Sequence, residues 1–156
     1  MAMATTLDRP TCSQISQELS ILLADTYLLY VKSQNFHWNV IDPRFHSLHE
    51  FFEEQYKELA EAVDLIAERI RALGEKAPGS MREYLELSRL EESLTTLHAD
   101  EMLKGLFHDH ESIIQWLRSE IDHTAKIGDQ GTSDLCIERL RVHEKTAWMI
   151  KSHFTK

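Results

Sequence analysis

The chain has 156 residues, 42% of them hydrophobic, and two cysteines; its length suits one domain with its own core, and its cysteines are too few for a disulfide framework. The net charge of −9, from 26 acidic and 17 basic residues, disfavours proteins that grip nucleic acid through a broadly basic surface. No apolar run reaches membrane-spanning length and residues 1–10 lack the features of a signal peptide, which indicates a cytoplasmic protein.

A short tail, residues 1–10, is predicted to precede a single domain over residues 11–156. Thr11 or Ser13 is predicted to cap a first helix that ends near Val40. A turn at Asp42-Pro43 then leads into the second helix, because proline suits a first helical position. The first helix has a buried stripe at steps of three and four residues: Ile15, Leu19, Leu22, Thr26, Leu29, Ser33 and Phe36.

The second helix is predicted from near Arg44 to Gly74, and it has two sets of regularly spaced residues. The first set is a core stripe: Leu48, Phe52, Tyr56, Leu59, Val63, Ile66, Ile70 and Leu73. The second set is polar: His49, Glu53, Asp64 and Glu68. At roughly 100° per residue, neighbouring members of the polar set differ by only about 20° to 40°. All four polar residues therefore share one face beside the core stripe.

A single ion cannot bind all four polar residues of one chain, because eleven residues separate Glu53 from Asp64, which is about 16 Å along a helix. The spacing is symmetric, however, since the position numbers of His49 and Glu68 have the same sum as those of Glu53 and Asp64. If the helix packs antiparallel against a second copy, each His49/Glu53 pair meets the partner's Glu68/Asp64 pair. Ala60 falls on the same face and would allow a close approach.

His37 is predicted to join this cluster, because His37 and His49 lie six residues on either side of Pro43 in a helical hairpin. The predicted site then takes His37, His49 and Glu53 from one chain and Asp64 and Glu68 from another. Two imidazoles and three carboxylates suit iron better than a closed structural zinc site, which favours thiolates. Carboxylates can also bridge two irons, as a di-iron oxidation centre requires.

The remaining elements are also predicted to be helical. After Pro78-Gly79, residues 81–90 can form two helical turns, and the sequence GDQGTSD ends the third helix. The third helix has the apolar positions Leu94, Leu97, Leu103, Phe107, Ile114, Leu117 and Ile121. The last helix, from Ser133 or Asp134, presents one side formed by Ile137, Leu140, Glu144, Ala147, Trp148 and Lys151. The fold class is therefore all-α.

Other histidines are interpreted as structural or solvent-facing. His46 is expected to face solvent or to support His49 from outside, and His108 and His110 lie on different faces of the third helix. Glu120-x-x-His123 matches half of the interior di-iron pattern of ferritin-type bundles, which needs two such motifs. We therefore predict that Glu120 and His123 are surface groups near a helix end. His143 and His153 are interpreted in the same way.

The segments NFHWNV, SLHEFFEEQY, DLIAER and HEKTAWM resemble the signature of the Dps family, the miniferritins. The resemblance spans most of the chain and implies a ferritin-like four-helix bundle with a short extra helix in the B–C connection, between the second and third bundle helices. It implies a hollow shell of twelve subunits with ferroxidase sites at the two-fold interfaces, each holding at most two irons. Hydrogen peroxide or oxygen would be the oxidant, and the ferric mineral would be stored inside.

The resemblance also suggests roles for further residues. Trp38 looks like the tryptophan beside the family's oxidation centre, where it could donate an electron to a radical, although an aromatic that only fills the interface is equally consistent. Asp122, Asp129 and Asp134 are candidates for an acidic iron-entry pore. Many relatives have aspartate in place of Glu53, and the longer side chain should tune iron binding rather than abolish it.

Two other functions remain open at the level of the sequence. A DNA-compacting structural protein with little ferroxidase activity would need separated basic residues, such as Arg9, Lys151 and Lys156, to gather on folding. The tail has no lysine, so we expect little or no DNA binding near physiological salt. A purely structural helical oligomer would show no spectrum that depends on iron.

Overall fold

Four long helices form the bundle, and a short fifth helix lies in its central connection. A computed structural model describes residues 5–154. Its helices are α1 (Arg9–Asn39), α2 (Phe45–Ala72), α3 (Met81–Leu87), α4 (Ala99–Lys126) and α5 (Gln130–Lys151), followed by a 3₁₀ turn at Ser152–Phe154. α1 pairs mainly with α2, α4 pairs with α5, and α3 packs on α1. Residues 5–154 contain no strand, which confirms the all-α prediction and the extra helix.

Side-chain caps and glycines fix the helix ends. Asp8 caps α1 by accepting a hydrogen bond from the Thr11 backbone N–H at 2.9 Å, so the helix begins at Arg9 and the predicted cap at Thr11 or Ser13 is wrong. Arg9 and Pro10, the last two residues of the predicted tail, therefore belong to α1, and residues 1–4 of that tail lie outside the described residues. After α2 and α4, Gly74 (φ 93°) and Gly128 (φ 80°) adopt the left-handed backbone that glycine tolerates best.

The core lies between the two helix pairs and follows the predicted stripes of α1 and α2. All seven stripe positions of α1 are buried, and so are six of the eight positions of α2, while Tyr56 and Val63 are half-buried. Full burial of a side chain such as Phe36, Phe52 or Leu19 contributes about 1.5–3 kcal/mol to stability. The two cysteines, Cys12 and Cys136, are free and buried, as the sequence indicated. No helix within residues 5–154 is long and apolar enough to span a bilayer.

The predictions for α4 and α5 need correction. α4 starts at Ala99 after His98, so Leu94 and Leu97 precede it, and Leu94 is 84% exposed. The side of α5 that contains Ile137 and Trp148 faces largely outward, since these two residues are 40% and 66% exposed. The side of α5 that faces the core instead contains these polar residues: Thr132, Ser133, Arg139, His143 and Thr146.

Asp25 fastens the central connection to α1. Its carboxylate is fully buried and accepts hydrogen bonds from the Ser88 hydroxyl at 2.9 Å, the Arg89 backbone N–H at 2.7 Å and the Arg89 guanidinium. The same guanidinium lies over the Trp116 ring of α4, 4.9 Å from its centroid. Arg89 therefore joins the segment after α3 to two helices of the bundle.

We expect Asp25→Ala to lower the free energy of unfolding by about 2–4 kcal/mol, because the change removes every one of these acceptors from a buried position. Chemical denaturation at fixed protein concentration would measure the loss. Glu54→Ala, at an exposed position of α2, is the matched control and should change stability by less than about 0.5 kcal/mol. Equal effects of the two substitutions would contradict the role given to Asp25.

Candidate metal centre

His37 and His49 form a reciprocal pair across the α1–α2 hairpin. The Nδ1 of His37 hydrogen-bonds the backbone carbonyl of His49 at 2.8 Å, and the Nδ1 of His49 hydrogen-bonds the carbonyl of His37 at 2.7 Å. The two rings are stacked, with centroids 3.8 Å apart. Because a carbonyl can only accept, both Nδ1 atoms must carry hydrogen, and in each neutral ring the lone pair lies on Nε2. Both imidazoles are therefore in the tautomer that binds a metal through Nε2.

Glu53 lies one helical turn beyond His49 on the same face of α2. Its carboxylate is paired with the ammonium group of Lys57, four residues further along. The pKa of Glu53 is lowered, mainly by the hydrogen bond and charge of Lys57 and to a smaller extent by His37 and His49. Glu53 is thus an ionised carboxylate that interacts electrostatically with both imidazoles, and its joining them as a metal ligand stays a prediction.

Each of the two imidazoles contacts a neighbouring aromatic ring of α2. The Phe45 ring stacks on His49 at 5.0 Å, and the Tyr56 ring meets His37 edge-on at 5.3 Å. Tyr56 was predicted only as a core residue, and Phe45 and Lys57 were not predicted to neighbour the site. Their spacing from His49 and Glu53, four residues in both cases, was the available signal.

Asp64 and Glu68 do not meet the histidines within one chain. Both are exposed further along α2, on the face that contains Glu53, at the distance that the helical rise requires. Ala60, between them and Glu53, is exposed as well, whereas Leu59 is buried in the core. The face therefore presents a half-site at each end and a small residue between them, and the pairing of the two halves through a second chain stays a prediction.

The ammonium group of Lys57 is paired with the Glu53 carboxylate, so a metal ion that binds Glu53 must displace it. We expect Lys57→Met to tighten zinc binding at this centre by about two- to five-fold, the scale of an exposed ion pair. Titration of the assembled protein with Zn²⁺ would measure the change. Lys145→Met, on exposed α5 surface, should leave the affinity unchanged. Weaker binding by the Lys57 variant would show that the lysine assists the centre rather than competing with metal.

The predicted accessory residues differ in their surroundings. Trp38 is 65% exposed, and Asp122 and Asp134 are exposed near the end of α4 and the start of α5. Asp129 is 3% exposed; it caps α5 through the Thr132 backbone N–H and pairs with Arg69 at 2.6 Å. Asp129 is therefore a buried carboxylate that stabilises the α2–α5 contact, and it lacks the exposure that a residue lining an iron-entry pore needs.

His143 is not a surface group, contrary to the prediction. It is completely buried, and its Nδ1 lies 2.8 Å from the Nδ1 of His110, which is 2% exposed. Arg139 lies beside the pair, 3.4 Å from the Nε2 of His143, and forms an ion pair with Glu58 of α2. Desolvation lowers the pKa of His110 to about 3 and that of His143 well below its usual value. Both rings are therefore neutral in the folded protein.

The prediction for Glu120 is also wrong, because Glu120 is 4% exposed and faces the interior of the bundle. It lies with His123 and with Glu18 of α1 in a cluster described below. His46, in contrast, is exposed and pairs with Glu50 at 3.3 Å, which agrees with its predicted solvent-facing position. His108 is exposed while His110 is buried, so the two do lie on different faces.

Comparisons of sequence and of structure both relate this chain to ferritin-like proteins. The model of the ferritin-like domain family matches residues 16–156. The DNA protection during starvation protein 2 of Bacillus anthracis is 38% identical over 139 residues, which cover 89% of this chain and 95% of that protein.

Two solved structures extend the comparison to the fold. Dps from Staphylococcus aureus is 35% identical with a TM-score of 0.90, over 92% of this chain and 97% of its own. A Dps protein from Vibrio cholerae O1, described as a member of a broad superfamily of ferritin-like diiron-carboxylate proteins, is 29% identical with a TM-score of 0.93 over 99% of each chain.

Proposed function

We propose that this chain, which belongs to the Dps family of ferritin-like proteins, is a ferroxidase whose sites lie between subunits. Iron storage and protection against oxidative damage are functions that fit this family. Each site takes His37, His49 and Glu53 from one subunit and Asp64 and Glu68 from its two-fold partner. The observation that carries the proposal is the reciprocal pairing of His37 and His49, which leaves a lone pair on each Nε2, with the Glu53 carboxylate one helical turn beyond His49.

Iron is the substrate of the proposed reaction, and the protein supplies ligands and charge. Three carboxylates offset much of the charge of two ferrous ions, and the imidazoles add neutral donors suited to iron. Hydrogen peroxide takes one electron from each of two ferrous ions, so that two Fe²⁺, one H₂O₂ and two protons give two Fe³⁺ and two water molecules. Holding both ions at one site makes the two-electron reduction a single encounter, so no hydroxyl radical is released.

The divided ligand set requires at least a two-fold pair of subunits. We propose a hollow homo-oligomer of twelve subunits, as in the family, in which the ferric product collects on the inner surface.

Asp122 and Asp134, both exposed, are the remaining candidates for the iron-entry pore. Trp38, exposed one residue after His37, would supply an electron to any one-electron oxidant formed at the site. Hydrogen peroxide or oxygen would serve as oxidant.

Complementation between two inactive variants tests the shared site. A His37→Ala/His49→Ala protein and an Asp64→Asn/Glu68→Gln protein should each lose fast Fe(II) oxidation. When the two are dissociated, mixed in equal amounts and reassembled, half of the random pairs are mixed and each mixed pair has one intact site. We therefore expect about a quarter of the activity per subunit of the unmodified protein, measured by stopped-flow absorbance. Activity no higher than that of either parent would reject a shared site.

The name of the Bacillus anthracis relative refers to DNA protection, so DNA binding is the second candidate. The net charge of −9 opposes it. Arg9 and Lys151 lie at the beginning of α1 and the end of α5 and are exposed, while Lys156 is outside the described residues. The family also protects by removing iron and peroxide, which needs no DNA contact. Retardation of DNA by the intact oligomer at about 0.15 M salt would favour the second candidate.

A further inference from the structure

A second cluster of metal-binding side chains lies between α1 and α4 and shares no residue with the proposed ferroxidase site. Glu18 of α1 and Glu120 and His123 of α4 each present one ligand atom, and these three atoms all lie within 4.8 Å of one another. Glu120 and His123 are three residues apart, so they share a face of α4. The two helices thus bring together two carboxylates and one imidazole from positions about 100 residues apart in the sequence.

Two of the carboxylate oxygens in this cluster have no partner. Glu120 is 96% buried, yet its Oε1 accepts no hydrogen bond from any described residue, and the same is true of the Oε2 of Glu18. The other oxygen of Glu18 accepts a bond from Gln14 at 3.3 Å. A buried acceptor without a donor is unfavourable, because it has lost its hydrogen bonds to water and gained none in the protein. The arrangement therefore needs a further positive or donating group between the two carboxylates.

Burial, first, and then the facing Glu18 carboxyl group raise the pKa of Glu120 to about 8. Two different groups could relieve the pair, namely a proton shared by the carboxyls or a cation bound between them. A shared proton leaves the nearby imidazole without a role. A divalent cation uses all three donors, and the two carboxylates balance its charge.

We propose that Glu18, Glu120 and His123 bind one divalent ion of a first-row transition metal per subunit, for which Zn²⁺ is the best probe. Two carboxylate oxygens and one imidazole nitrogen form a three-ligand set that leaves one position of a tetrahedral zinc ion open. Ligand atoms around such an ion lie about 3.4 Å apart, so donors already within 4.8 Å need only small side-chain adjustments.

The ion has a route to the site. His123 is half-buried, and besides facing the two carboxylates it lines an open surface depression together with Ser119, Asp122, Lys126 and Ile127. The depression measures about 430 Å³, which is ample for a hydrated ion. Asp122 at its rim would attract a cation before it exchanges water for the three ligands. The site differs from the interior di-iron centre of ferritins, because it has one Glu-x-x-His motif and ligands from two helices only.

The test uses the assembled full-length protein with His37→Ala and His49→Ala, so that zinc at the proposed ferroxidase site does not obscure the result. We expect equilibrium dialysis against Zn²⁺ to find one tightly bound ion per subunit. Adding Glu18→Gln and Glu120→Gln should weaken that binding at least 100-fold, because both charged ligands become neutral amides of the same shape. Glu138→Gln, at an exposed position of α5, is the matched control and should leave zinc binding intact.

Two further measurements keep the test decisive. Zinc should raise the thermal unfolding temperature of the His37→Ala/His49→Ala protein and lose this effect after His123→Gln, a change at the half-exposed edge of the cluster that spares the buried carboxylates. A zinc-soaked crystal should give an anomalous peak between the three side chains. Absence of that peak, absence of zinc uptake, or uptake unaffected by the glutamine substitutions would overturn the proposal and leave a proton-sharing carboxyl pair.

Discussion

Replacing both His37 and His49 by alanine is expected to slow rapid Fe(II) oxidation at least about 100-fold while the oligomer still assembles. The change removes two of the three ligands that one subunit gives to the proposed site, and loss of outer supporting groups alone costs metal sites about 10- to 100-fold. Alanine keeps the helical backbone of α1 and α2 favourable. Stopped-flow absorbance would measure the oxidation rate, and sedimentation would measure the assembly.

His46→Ala is the matched control for this pair, because His46 is an exposed histidine in the first turn of α2 that pairs with Glu50. Its oxidation rate should stay within about two-fold of that of the unmodified protein. If the His37/His49 variant retained fast oxidation in an intact oligomer, the iron centre would have to lie elsewhere. The Glu18, Glu120 and His123 cluster would then be the first alternative.

The second large effect concerns acid stability. His110 and His143 are buried and neutral, with pKa values far below those of the unfolded chain, about 3 for His110. When pH falls below about 6.5, the unfolded chain binds a proton at each histidine and the folded chain does not. Stability contributed by these two groups is therefore lost as pH falls, by up to about 1.4 kcal/mol per pH unit for each histidine, or about 4 kcal/mol in total between pH 7 and pH 5.

Replacing both His110 and His143 by leucine should flatten this part of the pH profile, since the apolar pair fills similar space and binds no proton in either state. Urea denaturation of the oligomer at fixed protein concentration, repeated between pH 7 and pH 5, would give the two slopes. His46→Gln/His108→Gln replaces two exposed histidines and should retain the slope of the unmodified protein. Identical slopes in the leucine and control variants would assign the acid sensitivity to other groups.

Sequence reasoning worked best where one helix determines the outcome by itself. The stripe from Ile15 to Phe36 is buried throughout, because apolar spacing at three and four residues is a local property of α1. The convergence of His37 and His49 also follows from a short hairpin, in which the position of Pro43 sets the register. The hydrogen bonds of each ring to the other residue's carbonyl need atomic detail that no spacing supplies.

The failures involve residues whose partners are distant in sequence. Glu120 was assigned to the surface because its partner, Glu18, lies on α1 and carries no signal that links the two positions. His143 is buried although it was predicted to lie on the surface, because the inner face of α5 is polar: Arg139 and His143 are buried there by pairing with Glu58 and His110. Hydrophobic periodicity cannot detect a buried face whose polar groups are satisfied by another helix.

The mutual hydrogen bonds of His37 and His49 also determine how the proposed metal site would respond to losing its ion. Because each Nδ1 is held by the other residue's main chain, the two imidazoles keep their rotamers whether or not an ion is present. Little side-chain entropy then remains to be lost when iron arrives, and the centre is preorganised on the histidine side. In the proposed site, exchange of one ion for another would instead involve the carboxylates, of which Glu53 must first release Lys57, so turnover of iron need not disturb the hairpin that carries the two histidines.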